Sequence, residues 1–166
     1  MLFHSTRGND NNKTFEEVLM QGLADDGGLF MPDSWPQVDL DHLKSLKSFI
    51  DVAKYIVPMY TYSSFSKDEV HEILDNTWHD FEEKDYLKIV DINESLSVLE
   101  LFHGPTAAFK DFGLQLAAAF FNKTLVDQNK TAIVFGATSG DTGSAAIDAC
   151  KAVSYTHLRA HETCVH

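Results

Sequence analysis

Ala132-Ile-Val-Phe-Gly136-Ala-Thr-Ser-Gly140-Asp-Thr-Gly143-Ser144 is the stretch that decides the fold. An apolar, β-prone run, Thr131–Gly136, enters a loop of Gly, Ser and Thr, and Ser144–Lys151 then opens a helix. Upstream, Phe112–Leu125 reads as a helix that is apolar nearly all round, through Leu114, Leu116, Ala117, Ala118, Ala119, Phe120 and Phe121. A helix of that kind is buried on several sides. Before it, Leu87–Asp91 and Leu96–Phe102 read as strands. Strand, helix, strand, helix is the pattern of a parallel α/β sheet. Residues 86–152 therefore read as the beginning of an α/β domain.

The texture before residue 86 differs. Thr14 to Glu17 is a capping box, with Phe15, Val18, Leu19 and Leu23 following at helical spacing. Asp26-Gly27-Gly28 reads as the turn that ends this helix, and Leu29-Phe30-Met31 as a short apolar run stopped by Pro32. A second helix is expected from Asp41 to Val57, broken by Pro58. A second capping box, Ser66 to Glu69, opens a third, whose apolar stripe is Val70, Ile73, Leu74, Trp78 and Phe81. Residues 1–85 thus read as a small helical domain. His42, His71 and His79 show no metal-like grouping and read as surface or boundary histidines. The closing residues, VSYTHLRAHETCVH, lack periodicity and look like a translated sequencing-adapter tail, so 153–166 is set aside as non-native. A metal cluster of His157, His161, Cys164 and His166 is set aside with it, and no metal is expected.

Composition bounds the partners. The 166 residues are 44% apolar and 23% charged, as in a soluble globular chain. Thirteen Lys+Arg against 25 Asp+Glu give a formal net charge of −12, which argues against electrostatic binding of nucleic acid or anionic membrane. An anionic ligand must be held by local donors. No apolar run approaches the roughly 20 residues that span a bilayer. The N-terminus turns polar too soon for a secretory signal. Cys150 and Cys164 form no C-x-x-C pair, and a cytoplasmic location is expected.

Two segments carry chemistry. The first is His103-Gly-Pro-Thr-Ala-Ala-Phe-Lys110-Asp-Phe-Gly113, between a strand and the apolar helix. Lys110 stands at a helix N-terminus, against the macrodipole, beside Ala107, Ala108, Phe109 and Phe112. Both effects favour a neutral amine, which attacks a carbonyl and forms a Schiff base. The alternative is a surface lysine paired with Asp111. The second segment is the opening stretch itself. Its loop amides and helix N-terminus suit a carboxylate or phosphate, with Thr138, Ser139 and Thr142 adding hydroxyls. It lacks the G-x-G-x-x-G of a dinucleotide site and the Gly-Lys-Ser/Thr of a Walker loop. The alternative is a tight strand-to-helix turn. On a parallel sheet both turns fall at the carboxyl ends of the strands, where ligands bind.

Three motifs resemble threonine synthases, pyridoxal-phosphate enzymes of the tryptophan-synthase-β fold group. They are Ser5-Thr-Arg-Gly8 with Gly22-Leu-Ala-Asp-Asp-Gly-Gly-Leu-Phe30, then His103-Gly-Pro-Thr106 through Phe109-Lys110-Asp111, then Ala137-Thr-Ser-Gly-Asp-Thr-Gly143. The resemblance runs from the start to about Ala152. It implies pyridoxal 5'-phosphate as cofactor, a fold-type II pyridoxal-phosphate enzyme fold and the small-molecule substrate O-phospho-L-homoserine, converted with water to L-threonine and phosphate. It makes Lys110 the residue that binds the cofactor and later moves protons. It assigns the substrate carboxylate to Thr138, Ser139, Gly140, Thr142 and Gly143. Asp141, where relatives often have Asn, approaches the cofactor. The resemblance also implies a longer family chain. This one stops soon after the substrate-side loop, so the 166 residues by themselves are expected to be inactive. Another lyase of the same fold group, such as a threonine dehydratase or a threonine-synthase-like phospho-lyase, and a non-enzymatic anion-binding module are the competing readings.

Overall fold

The computed structural model describes residues 1–82, 85–151 and the backbone of 156–160. The chain forms two compact units, Met1–Asp75 and Asn76–His166.

The first unit is not purely helical. β1 (Phe3–Ser5) pairs antiparallel with β2 (Phe30–Pro32), so the short apolar run before Pro32 is an edge strand. Proline is tolerated there because an edge position needs no ladder donor. α1 (Phe15–Gln21) starts at the expected capping box: Thr14 accepts from the Glu17 amide, and the Glu17 carboxylate accepts from Thr14 N–H at 2.7 Å. It stops at Gly22, with φ at +76°, ahead of the Asp26-Gly27-Gly28 turn.

The single helix expected over 41–57 is two helices, α2 (Leu40–Ser45) and α3 (Phe49–Thr61). Asp39 caps the first, and Ser48, accepting from the Asp51 amide, starts the second. Pro58 lies inside α3 and does not end it. A proline there leaves the carbonyl four residues earlier without its donor. That carbonyl belongs to Lys54, and His71 Nε2 lies 3.2 Å from it. α4 (Lys67–Thr77) begins at the second capping box, where Glu69 accepts from the Ser66 amide at 2.9 Å. Val70 and Leu74 are fully buried.

The N-terminal motif closes on itself. Ser5 Oγ donates to Asp26 Oδ1 at 2.6 Å, the Gly28 amide donates to the same oxygen, and the Asn9 amide donates to Asp26 Oδ2. Arg7 Nη1 donates to the Asp26 carbonyl at 2.9 Å. A Cβ at Gly28 would stand 2.1 Å from Ser5 Oγ, so only glycine fits. The Ser5 hydroxyl, against an opposing cost of burial and with help from the Gly28 and Asn9 amides, holds the Asp26 carboxyl below its ordinary range. The Asp25 amide does the same for Asp10.

In the second unit, β3 (Lys88–Asn93) and β4 (Leu96–Glu100) are not successive strands of a parallel sheet. They form an antiparallel hairpin with an irregularity at Asp91/Asn93. The residues joining them, Glu94 and Ser95, are too few for a parallel crossover, which takes a dozen or more. α5 (Lys110–Asp127), β5 (Ala132–Gly136) and α6 (Asp141–Cys150) follow in the expected order. β6 (Thr156–Ala160) runs parallel to β5, from Ala132 opposite Thr156 to Gly136 opposite Ala160. The parallel α/β character resides here. The rest of the segment set aside at 153–166, and the side chains of His157, His161, Cys164 and His166, lie outside the described residues. α5 packs on α6, with Gln115 Nε2 3.4 Å from Asp148 Oδ2, and Phe120 and Leu125 are buried. Ile89, Val98 and Leu99 on the hairpin, and Ile133 and Phe135 on β5, remain exposed. Among the described residues no helix is long and apolar enough to cross a membrane.

Candidate active site

Lys110 is the first residue of α5. Its Nζ lies 4.4 Å from the centroid of the Phe109 ring, within cation–π distance, and Phe109 is exposed. The apolar setting inferred from sequence is therefore partial: Ala108 is buried, and the neighbouring ring is not. The alternative pairing with Asp111 does not form. Asp111 is wholly buried, accepting the Thr106 amide at 2.9 Å and the Thr106 hydroxyl at 2.6 Å. Among the described residues no carboxylate lies within ion-pair distance of the Lys110 amine.

The turn that delivers Lys110 is fixed from several sides. Ala107 N–H donates to the Gly104 carbonyl at 3.0 Å, with Ala107 at φ +54°. Phe112 packs edge-on against Phe81 at 4.9 Å between ring centroids, and its carbonyl accepts from Trp78 Nε1 at 3.1 Å. His103 Nε2 lies 2.8 Å from Glu100 Oε2, and the His103 carbonyl accepts from the Glu82 amide.

The second segment folds as a strand-to-helix loop. Thr138 Oγ1 accepts from the Gly140 amide at 3.2 Å and from the Gly143 amide at 3.0 Å. Thr138 thus braces the loop and caps α6 from upstream, with its hydroxyl proton left to donate. A Cβ at Gly143 would stand 2.6 Å from Thr138 Oγ1, so glycine is required there. Gly140 holds φ at +139°, which L side chains rarely adopt. Ser139, Asp141 and Thr142 are exposed on the same turn. Helix geometry leaves the amides of Asp141 and Thr142 without intrahelical acceptors, so they are free to meet an anion.

The structure therefore joins Thr138, Gly140 and Gly143 by hydrogen bonds and places Ser139, Asp141 and Thr142 beside them. Lys110 sits on a different turn of the same unit, and no hydrogen bond or ion pair links it to that loop. Thr106 was not singled out from sequence. The signal for it was its fixed place in His103-Gly-Pro-Thr106, five residues before Asp111. A cleft of about 630 Å³ in the first unit, lined by His42, Lys54, Tyr55, Tyr62, Lys67 and His71, holds none of these site residues.

A parallel strand pair with helices, carrying a lysine on one helix-opening turn and a Gly/Ser/Thr loop on another, defines an α/β domain present here in part. Residues 2–78 match the family model described as threonine synthase N terminus. The chain is 38% identical over 153 residues to threonine synthase of Pseudomonas aeruginosa, covering 91% of this chain and 33% of that protein. It is 38% identical over 151 residues to threonine synthase-like 2 of Pongo abelii, covering 89% and 31%. The crystal structure of pyridoxal-phosphate-bound threonine synthase from Brucella melitensis superposes with a TM-score of 0.93 at 34% identity, over 98% of this chain and 35% of that one. The chain is similar to the N-terminal region of threonine synthases. It spans about a third of the length of the curated relatives it matches.

Proposed function

We propose that the chain is the N-terminal part of a pyridoxal-phosphate-dependent threonine synthase that converts O-phospho-L-homoserine and water to L-threonine and phosphate in the cytosol. The observation that carries this is the Lys110 amine, without a carboxylate partner among the described residues at the head of α5, in a chain whose fold matches a pyridoxal-phosphate-bound relative. The residues present suit part of such a site. Lys110 would hold the cofactor, Asp141 would approach it, and Ser139 and Thr142 would receive the substrate carboxylate on a loop that Thr138 braces through the Gly140 and Gly143 amides.

Pyridoxal phosphate, when bound, supplies an electron sink for carbanions. With it bound, Lys110 Nζ would be the amine that holds its carbonyl carbon. It would then take protons from substrate Cα and Cβ as phosphate departs from Cγ, and return protons at Cγ and Cα as water adds at Cβ. The loop amides orient the amino acid through its carboxylate and act before and after each transfer.

The test is a substrate panel on the longest reading frame that carries this chain. Threonine and phosphate from O-phosphohomoserine support the proposal, and Lys110→Ala abolishes both. A second reading, a threonine-synthase-like phospho-lyase, is favoured by the equal identity to threonine synthase-like 2. It would release a 2-oxo acid. A protein that neither turns over nor forms a borohydride-reducible adduct fits the anion-binding module and refutes both.

A further inference from the structure

We infer that Asp111 and Thr106 are positioning residues for Lys110: together they withdraw the carboxylate that follows the lysine and leave its amine free to react. The inference rests on Lys110 being the cofactor lysine. Neighbouring Lys and Asp side chains at an exposed helix start pair readily. Here the Asp111 carboxylate turns away and is fully buried, one oxygen on the Thr106 amide and the other on the Thr106 hydroxyl. The backbone is shaped for it. A Cβ at Gly104 would stand 2.5 Å from Asp111 Oδ2 and 2.7 Å from Asp111 Cβ, so only glycine leaves the notch the carboxylate fills. Ala107 accepts φ +54° to close the turn around it, a conformation few residues with a Cβ adopt.

The arrangement does not serve as a helix cap. α5 has no side-chain cap hydrogen bond, and both Asp111 oxygens point upstream to Thr106. A glycine notch, a hydroxyl and a left-handed alanine converge on one carboxylate. The consequence lies at its neighbour. A released Asp111 would be free to pair with the Lys110 amine and hold it away from an incoming carbonyl, slowing condensation.

The experiment treats the longest reading frame that carries this chain with pyridoxal phosphate, reduces it with borohydride over a time course, and maps adducts by peptide mass. The remaining lysines serve as internal reference, and circular dichroism melting reports folding. Thr106→Ser keeps the hydroxyl, and Asp111→Asn keeps an acceptor without the charge. Both are expected to label Lys110 at the rate of the unsubstituted protein. Thr106→Val loses a donor, and Asp111→Glu outgrows the notch. Both are expected to label Lys110 about tenfold more slowly, with the reference lysines unchanged. Full-rate labelling in Thr106→Val overturns the inference, as does an equal loss in Asp111→Asn and Asp111→Glu. If Asp111→Glu does not fold, the contrast between Thr106→Val and Thr106→Ser decides. A normal Lys110 adduct with indifferent variants removes the positioning role alone. An unsubstituted protein with no adduct at Lys110 removes the cofactor-lysine reading, and this inference with it.

Discussion

At the scale of single residues, adjacency in sequence is a poor guide to partnership. Lys110 and Asp111 look like a ready ion pair, yet the aspartate reaches back to Thr106. That choice was hidden because it depends on the backbone path through Gly104 and Ala107. Gly28 makes the complementary case, since its missing Cβ is the space that Ser5 Oγ occupies. Gly28→Ala is expected to destabilise the protein by about 1–3 kcal/mol, the usual range for overpacking, read as a shift in the urea midpoint at unchanged slope. Cys150 offers a chemical check. Burial raises its thiol above the ordinary range, so little thiolate exists at neutral pH. Its alkylation by iodoacetamide at pH 7 should be slower than that of a free cysteine peptide, and should catch up with the peptide on denaturation.

At the scale of elements, the legible features were those whose partners lie within a turn. Both capping boxes form as their sequence pattern implies, because donor and acceptor are three residues apart. Gly140 and Gly143 were legible as a strand-to-helix turn for the same reason. Pro58 was not. It reads as a break, yet α3 continues through it, and His71, on α4, lies against the carbonyl the proline leaves without a donor. His71→Ala is accordingly expected to cost about 1 kcal/mol, the net worth of one such hydrogen bond. In a Pro58→Ala background, where the backbone can supply its own N–H, the same change should cost measurably less. A double-mutant cycle on melting free energies checks this, and simple additivity would contradict it. The hairpin was misread for a different cause. Alternation identifies strands and not their direction, and only the two-residue connection at Glu94-Ser95 carries that information.

At the scale of the whole molecule, two properties follow from charge and surface. Asp26 and Asp10 have carboxyls held below their ordinary range in the folded state. A lowered folded-state value contributes stability that is present above the unfolded value of about 3.8–3.9 and lost as pH falls through the folded one. The melting temperature should therefore fall on acidification below about pH 4–5, and Asp26→Asn should flatten that dependence while lowering the neutral-pH plateau. The second property concerns apolar strands in the second unit. Ile89 is 68% exposed and lies opposite Leu99 at 50%, while Phe135 on β5 is 76% exposed. Such a surface is a docking or aggregation liability. The 166-residue chain alone should sediment as concentration-dependent oligomers, and Ile89→Lys should shift it toward monomer.

The latch between Ser5, Asp26 and Gly28 bears on how this lineage is recognised in genomes. That motif is consumed by architecture: the Ser5 hydroxyl, both Asp26 carboxylate oxygens and the Gly28 amide each meet another part of the same fold. Selection for folding alone would preserve it in a descendant that had abandoned turnover. Relatedness scored through this stretch thus measures shared ancestry of a scaffold, and surveys that sort working catalysts from retired ones need to weigh the lysine-bearing turn instead.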